Sequence, residues 1–132
     1  MLQKLNPPDV HDPPGYHHVT IVEAGRTAHL AGQCPLAVDG SVVGLGDHLV
    51  QTDQVVRNSL TVMAAVGATP AQVVRSVIYV VSDDQRVLAA VWDRLNASEL
   101  GPAFSTASTL LGVAALGFTG QLVEVDLTAA LL

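Results

Sequence analysis

The order of helical and strand patterns along this chain predicts an α+β fold. Two segments carry apolar residues at close to helical spacing, and the other regular segments are rich in β-branched residues or alternate apolar with polar residues. The order is two or three strands, a helix, a strand, a second helix and two more strands. Both helices can therefore cover one face of a mixed β-sheet. The other face would stay open or pack in an oligomer.

The N-terminal part predicts an arm followed by two short strands. Residues 1–15 are rich in Pro and Asp, which favours an arm or loop over a helix. Residues 18–22 have the composition of a strand, a turn-like stretch follows, and residues 27–31 form the returning strand. The Asp39-Gly40 pair further on is typical of a hairpin turn.

The clearest helix lies at about residues 49–66. Its apolar residues recur at close to helical spacing, at Leu49, Val56, Leu60 and Met63. Asp47 can cap its start, because a carboxylate accepts hydrogen bonds from the unpaired N–H groups of a first turn. Gly67 can end it in a left-handed turn.

A strand and a second helix come next. Residues 76–81 are rich in Val, Ile and Tyr, and the Thr69-Pro70 pair before them can cap a short turn. Residues 82–84, Ser-Asp-Asp, supply caps for the helix that follows. One face of that helix carries Val87, Val91, Arg94 and Leu95, with Trp92 beside them.

The last two strands are predicted at residues 109–115 and 122–129. In the second of them apolar and polar residues alternate, so Glu124 and Asp126 share the face opposite Val123 and Val125. Two interpretations of Glu124 are open. It lies on a solvated sheet face, or it points into a cleft where its carboxylate polarises a water or a small ligand.

Length and composition predict one domain that contacts other subunits. The 132 residues fit a single domain, here residues 1–132 with 1–15 as its arm. The chain is 49% hydrophobic and only 14% charged, against a typical charged share of about 25%. Such a chain can bury more apolar surface than a lone domain needs. A single domain with a compact core and few charged residues on its surface would give the same composition.

Charge and cysteine content disfavour several classes of partner. The net charge is −6, and the six Lys and Arg residues are scattered from Lys4 to Arg94 without a basic stripe, so no nucleic acid is expected. Cys34 is the single cysteine and cannot form an internal disulfide, which fits a reducing compartment. There is no apolar signal core and no run of roughly 20 apolar residues. We expect a cytoplasmic protein without a membrane partner.

No metal site is expected from the five histidines. They show no His-x-x-x-His spacing, and the adjacent His17 and His18 would point to opposite faces of a strand. Cys34 is interpreted as a small buried residue rather than as a reactive thiol.

Several short motifs follow one another in a characteristic order. They are Pro14-Gly15-Tyr16, Ala31-Gly32-Gln33-Cys34-Pro35, Gln51-Thr52-Asp53-Gln54 with Asn58, Val77-Ile78-Tyr79-Val80, and Val123-Glu124-Val125-Asp126. Their order and spacing together resemble the signatures of the Rid family (reactive intermediate deaminases, also called the YjgF family) over roughly residues 13–131.

This resemblance implies a chorismate-mutase-like (YjgF-type) fold and a homotrimer with small-molecule clefts between subunits. Members of the best-known subgroup hydrolyse enamines and imines without a cofactor. An arginine holds the substrate carboxylate, and a glutamate at the position of Glu124 handles water and proton transfer. Tyr16 would then close the cleft, and Gly32 and Gln33 would form part of its wall. Packing at a sheet edge is the structural alternative for Tyr16, and a bulge or turn is the alternative for Gly32.

The chain departs from the family pattern at the arginine. Two placements of the family motif Pro-Ala-Arg-Ser/Thr put Phe104 or Ser108 at that position, and no Lys or Arg follows Arg94. The asparagine of the second helix is also missing, since Ala89 or Ala90 takes its place. A charge-assisted hydrogen bond contributes about 1.5–3 kcal/mol and a neutral one about 0.5–1.5 kcal/mol. Binding of a 2-imino acid is therefore expected to weaken by an order of magnitude or more.

Two functions from different classes follow from these features. The first is hydrolytic deamination of a small enamine or imine, with Glu124 activating water and with weak or altered activity. The second is a trimer that binds a small metabolite without turning it over. A ribonuclease is disfavoured by the acidic charge. An arginine of another subunit, such as Arg26 or Arg75, is a candidate replacement for the missing one.

Overall fold

The computed structural model describes residues 2–132 as six strands and two α-helices. In chain order they are β1 (Leu2–Leu5), β2 (Val19–Val22), β3 (Arg26–His29), α1 (His48–Ala65), β4 (Val73–Val81), α2 (Gln85–Asn96), β5 (Ala107–Val113) and β6 (Val123–Leu131). Short 3-10 helices at Pro70–Gln72 and Gly101–Ser105 precede β4 and β5. The predicted α+β fold is confirmed.

A mixed four-stranded sheet organises the molecule. Its order is β3-β6-β4-β5, with β4 and β5 parallel and the other neighbours antiparallel. Parallel strands need a crossover connection, and α2 supplies it between β4 and β5. β5 is therefore one edge of the sheet and β3 is the other.

Both helices lie on one face of this sheet, as predicted. α1 packs against β6, α2 packs against β5, and the two helices contact each other. Arg94 of α2 donates two hydrogen bonds to the carboxylate of Asp53 on α1, at 2.8 and 2.7 Å. Because this ion pair is exposed, it contributes at most about 1 kcal/mol. The helices are held mainly by their buried apolar residues.

The helix ends follow the predicted caps. Asp47 accepts hydrogen bonds from two backbone N–H groups of the first turn of α1, both at 3.1 Å. Asp84 accepts one from the backbone N–H of Arg86 at the start of α2, at 2.9 Å. α1 ends before Gly67, whose φ of +73° is a left-handed conformation that residues with a Cβ adopt only at a cost.

Side-chain alternation along β4 and β6 divides the sheet into a buried face and an open face. On the helix-covered face the central side chains are at most 1% exposed: Ile78, Val80, Val123, Val125 and Leu127. A fully buried Val, Leu or Ile side chain contributes about 1.5–3 kcal/mol, so this face forms the core. The intervening side chains point the other way and are partly exposed: Val77, Tyr79, Glu124 and Asp126.

The N-terminal part differs from the prediction in its strand pairing. Residues Leu2–Leu5 form β1 rather than a loop and pair antiparallel with β2. β3 does not return along β2 but pairs with β6. Partners of short strands depend on sheet edges that are distant in sequence, which alternation alone does not encode. The predicted turn at Asp39-Gly40 is confirmed, since the Gly40 N–H donates to the carbonyl of Ala37 at 2.9 Å.

Candidate functional site

Glu124 lies on the open face of β6, where two uncharged groups hold its carboxylate. Its register partner on β4 is Tyr79. The side-chain amide of Gln121 donates to Glu124 Oε1 at 3.0 Å, and the thiol of Cys34 donates to the same oxygen at 3.3 Å. Within residues 2–132, Glu124 Oε2 receives no hydrogen bond. That oxygen is the one that can bind a water or a ligand.

Gly32 makes room for this carboxylate. A Cβ on Gly32 would lie 2.2 Å from Glu124 Oε2 and 2.8 Å from its carboxyl carbon. No side chain fits there unless Glu124 moves. The glycine is therefore required by close approach, not by its backbone conformation.

Asn58 anchors the loop that carries Gly32 and Cys34. Its side-chain amide donates to the backbone carbonyls of Cys34 and Leu36, both at 2.9 Å. Gln54, one turn earlier on α1, donates to Asn58 Oδ1 at 2.9 Å and so fixes the orientation of that amide. The polar motif of the first helix thus supports the loop beside Glu124.

Gln33 ties the same loop to β6 through its backbone. Its N–H donates to the carbonyl of Val125 at 2.7 Å, and its carbonyl accepts from the N–H of Val125 at 3.1 Å. Its side-chain amide donates to the carbonyl of Ala31 at 3.1 Å. Gln33 therefore joins the loop to the sheet, and its role in a cleft wall stays a prediction.

Cys34 is a protonated thiol at neutral pH. Burial first, and then the hydrogen bond to Glu124 and the charge of Glu124, raise the pKa of Cys34 to about 11. Because the thiolate is the nucleophilic form, Cys34 at neutral pH is a hydrogen-bond donor to Glu124 and not a nucleophile.

A separate pocket of about 370 Å³ opens between the N-terminal arm, α2 and β5. Ligand sites in proteins have volumes of about 300–1,000 Å³. The pocket is lined by Pro14, Tyr16, Gln85, Leu88, Ala89, Trp92, Ser108 and Leu110. Most of these groups are apolar, and among the described residues that line it none is charged.

Aromatic rings shape one side of this pocket. Tyr16 meets Trp92 edge to face, with ring centroids 6.4 Å apart, and its hydroxyl is 2.8 Å from His11 Nε2. Phe104 lies behind Trp92 at 6.1 Å and is fully buried. Phe104 therefore supports the Trp92 ring from the core, whereas Tyr16 lines the pocket.

Ser108 lines the same pocket with a hydroxyl that is already bonded to the protein. It donates to the carbonyl of Phe104 at 3.2 Å and shares a second hydrogen bond with the hydroxyl of Ser76. Of the two sequence positions considered for the family arginine, only that of Ser108 faces the pocket.

Within one chain, the predicted site residues form two groups on opposite faces of the sheet. Ser108 is in register with Ser76, and Ser76 is in register with Leu127 on the buried face. Glu124 is three residues from Leu127 along β6, so its side chain points the other way. The structure brings together Glu124, Gly32 and Gln33 in one group, and Tyr16 and Ser108 in the other, with Phe104 behind the second.

No arginine or lysine compensates the charge of Glu124 in the described part of the chain. Arg75 lies on the open face but donates to the carbonyl of Ala107 at 3.0 Å and to Thr109 Oγ1 at 2.8 Å. Within its own chain, Arg75 is thus bound to β5 and not to the carboxylate.

The described residues show neither a metal cluster nor a membrane span. Between residues 2 and 132, no three His, Cys, Asp or Glu side chains are grouped in a way that could hold a metal ion. None of the helices in that range has the length and hydropathy needed to cross a membrane.

Three residues of the two groups are not predicted from the sequence as site residues: Cys34, Gln121 and Trp92. The contacts of Cys34 and Gln121 with Glu124 depend on loop packing, for which the sequence carries no periodic signal. For Trp92, the helical spacing in the sequence is enough to predict a place in the site. It lies three residues after Ala89 on the same face of α2, and Ala89 is one of the two residues considered for the position of the family asparagine.

Comparisons with known proteins agree with this architecture. A family model described as Endoribonuclease L-PSP matches residues 11–131. YyfB from Yersinia pestis, a protein of unknown function of the conserved Rid family, has a crystal structure that is 37% identical, with 98% of both chains covered and a TM-score of 0.88.

More distant structures show the same fold. The Rid-family protein YyfA from Yersinia pestis is 24% identical, with 99% of this chain and 100% of that chain covered and a TM-score of 0.68. A member of the YjgF/YER057c/UK114 family from Mycobacterium tuberculosis is 23% identical, with 99% and 100% covered and a TM-score of 0.60. No curated protein is significantly similar to the chain.

Proposed function

Because the chain belongs to the Rid (YjgF) family, we propose that it hydrolyses a small imine or enamine in a cleft between subunits. In this reaction an enamine first tautomerises to its imine, water adds to the carbon of the C=N bond, and the products are a carbonyl compound and ammonia. The reaction needs a group that moves protons but no cofactor. We expect the activity to be weak or altered compared with family members that carry the arginine.

The observation that carries this proposal is the carboxylate of Glu124, which is held in place and has no counter-charge among residues 2–132. A glutamate on a solvated sheet face would need neither two hydrogen-bond donors on one carboxylate oxygen nor a glycine beside the other oxygen. Glu124 has both. With Oε1 occupied, Oε2 can accept a proton from water as the water attacks the substrate. The same carboxyl then returns that proton to the departing nitrogen.

The separation of the two groups of residues supports a cleft built from two subunits. The sheet lies between Glu124 and Ser108 within one chain, so a small molecule bound in the pocket of that chain does not reach its Glu124. A second copy whose pocket faces the open sheet face would supply Tyr16 and Ser108 to Glu124. A closed homotrimer built on such contacts has one cleft per interface.

The substrate of such a cleft is uncharged or only weakly acidic. Ser108 offers neutral hydrogen bonding at the position of the family arginine, and no charged side chain among the described residues lines the pocket. A substrate carboxylate would lose its hydration there without gaining a cation.

A second candidate is a trimer that binds a metabolite without hydrolysing it. The replacement of both the arginine and the asparagine, by Ser108 and an alanine, favours this candidate. Ser108 and Ala89, one of the two alanines considered for the asparagine position, line a pocket whose remaining wall is mostly apolar. Under this hypothesis Glu124 orients a ligand and does not activate water.

A ribonuclease is the least supported alternative. The net charge is −6, and two of the six basic residues, Arg86 and Arg94, are paired with carboxylates. A surface for RNA needs cations that neutralise phosphates. We expect no nucleic-acid or membrane partner, and we expect a cytoplasmic protein, since its one cysteine is free.

Hydrolysis of two imines made in place by oxidases tests the proposal. One is a 2-imino acid from an amino-acid oxidase and the other an uncharged imine from an amine oxidase, and the unreacted remainder of each is trapped. We expect the wild type to accelerate hydrolysis of the uncharged imine at least tenfold more than that of the acidic one. Glu124→Gln should lose most of the acceleration, because proton transfer by a placed side chain contributes roughly 100- to 10,000-fold.

Asp126→Asn is the matched control, since Asp126 shares the strand and the open face with Glu124. It should keep the wild-type rate. If the wild type accelerates neither imine, hydrolysis is rejected and the non-catalytic binder stands.

A further inference from the structure

We propose that the pocket of Tyr16, Trp92 and Ser108 selects an uncharged ligand that has a flat apolar body and an N–H or O–H group donating to Ser108 Oγ. This inference rests on the proposed function, because the pocket is one half of the proposed cleft. It names the substrate class: an uncharged N–H imine, or an enamine, that carries an aromatic or similarly flat apolar group.

The hydrogen bonds of Ser108 determine what its hydroxyl can offer. The carbonyl of Phe104 can only accept, so the bond between it and Ser108 uses the proton of Ser108. The side chain of Ser76 is fully buried and, among the described residues, its hydroxyl shares a hydrogen bond only with that of Ser108. Both hydroxyl protons are satisfied when Ser76 donates to Ser108 and Ser108 donates to Phe104. Ser108 then has a free lone pair and no free proton.

This arrangement reverses the polarity that an arginine would give the site. An arginine presents only donors, which match the acceptor oxygens of a carboxylate. Ser108 presents an acceptor, which matches an N–H or O–H of the ligand and repels a carboxylate oxygen. The substitution therefore changes the kind of ligand group that fits, in addition to removing a charge.

The remaining wall fits a flat apolar body. Tyr16 and Trp92 meet at 86°, so their rings form two perpendicular sides, and Leu88 and Leu110 add aliphatic surface. The hydroxyl of Tyr16 is engaged with His11, and Gln85 is neutral. No group of this wall can compensate a negative charge on the ligand, and burying such a charge without a partner is costly.

Three benzene derivatives of nearly equal size test the inference through the fluorescence of Trp92, the only tryptophan of the chain. Benzamide is uncharged and has N–H donors. Acetophenone replaces the amide nitrogen by a methyl group, so it is uncharged without a donor. Benzoate is an anion without a donor. All three are titrated into the full-length protein, with no oxidase present.

We expect benzamide to bind most tightly. Its Kd should be roughly 2- to 10-fold lower than that of acetophenone, the range that one neutral hydrogen bond gives, and at least about tenfold lower than that of benzoate. Ser108→Ala removes the acceptor and should bring the Kd values of benzamide and acetophenone together. Ser41→Ala removes a serine from an exposed turn outside the pocket and should leave both unchanged.

Three results would overturn the inference. The first is that benzoate or acetophenone binds the wild type as tightly as benzamide does. The second is that folded Ser108→Ala keeps the preference for benzamide over acetophenone. The third is that no probe binds at millimolar concentration. The wild-type comparison stands even if a variant does not fold. Since no turnover is measured, the predicted order of Kd values without imine hydrolysis would reject the hydrolase alone, and hydrolysis without this order would reject the inference alone.

Discussion

The carboxylate of Glu124 is positioned by uncharged neighbours, and this decides what it can do. A glutamate paired with an arginine has both oxygens committed as acceptors and is a weak base. In this chain Gln121 and Cys34 share one oxygen, and the other lies over Gly32. The carboxylate is therefore held in place through one oxygen while the other stays open, which is what a group that activates water requires.

Replacing Gly32 with Ala should remove activity and leave the fold intact. The new Cβ would lie 2.2 Å from Glu124 Oε2, and the partly exposed carboxylate can swing away from it. We expect a stability loss of no more than about 1–2 kcal/mol and a loss of imine hydrolysis of tenfold or more, because catalysis depends on placement. Thermal unfolding and the imine assay measure the two effects.

Gly25→Ala is the control, since a Cβ at Gly25 meets no atom within 4 Å. It should match the wild type in both measurements. Wild-type activity in Gly32→Ala would contradict the role given to the position of Glu124.

The pH dependence of Cys34 alkylation reports on the contact with Glu124. Since the pKa of Cys34 is raised to about 11, alkylation by iodoacetamide should be slow at neutral pH and increase up to that value. The midpoint for an unfolded chain is about 8.5, because only the thiolate reacts. Glu124→Gln removes a nearby negative charge, so the midpoint should move to lower pH. A midpoint that does not move would show that the charge of Glu124 does not affect the pKa of Cys34.

Part of the site follows from the sequence, and part does not. Alternation along β6 predicts that Glu124 and Val125 face opposite sides, because the strand period is two. The choice between Phe104 and Ser108 needed the structure, since it depends on the 3-10 helix at Gly101–Ser105, which places Phe104 in the core. The contact of Cys34 with Glu124 joins residues 90 positions apart and has no local signal.

Gln51 connects α1 to the loops around it. It is fully buried, its amide nitrogen donates to the carbonyls of Gly44 and Gly120 at 3.2 and 2.9 Å, and its oxygen accepts from the N–H of Leu122 at 2.7 Å. One side chain thus fixes the loop before the helix and the start of β6, the strand that carries Glu124.

Gln51→Met should be strongly destabilising. Methionine has a similar volume, so the packing changes little, but three backbone groups lose their partner in a buried place. We expect the free energy of unfolding in a denaturant titration to fall by about 2–4 kcal/mol. Gln3→Met, on the exposed side of β1, should stay within about 0.5 kcal/mol of the wild type. An equal, small effect of both substitutions would contradict the anchoring role.

The helices were easier to predict than the strand partners for a physical reason. A helix carries its period and its end signals within one stretch, as Asp47 and Gly67 show for α1. A strand needs a partner elsewhere in the chain. The alternation in β3 does not indicate that this strand pairs with β6. The prolines that follow Leu2–Leu5 favour a loop, so the sequence does not predict β1.

The proposed site is incomplete in one chain. The open sheet face carries Glu124, and the pocket lies across the sheet at its β5 edge. We therefore predict that each cleft takes its carboxylate from one subunit and its pocket from the next, and the resemblance to the Rid family implies that the oligomer is a homotrimer. Light scattering at micromolar concentration should give roughly three times the chain mass of 13.7 kDa. The mass of a monomer would contradict a cleft formed between two subunits.

Mixing two inactive variants shows whether the carboxylate and the pocket of one cleft come from different subunits. Glu124→Ala lacks the carboxylate, and Ala89→Phe fills the pocket with a larger side chain at its α2 wall. Each variant alone should hydrolyse the uncharged imine no faster than buffer. After subunit exchange at equal amounts, about a quarter of the clefts should combine an intact carboxylate with an intact pocket, and the mixture should regain about that share of the wild-type rate. A mixture that remains as inactive as its parents, although mass measurement shows mixed trimers, would contradict a site shared between subunits.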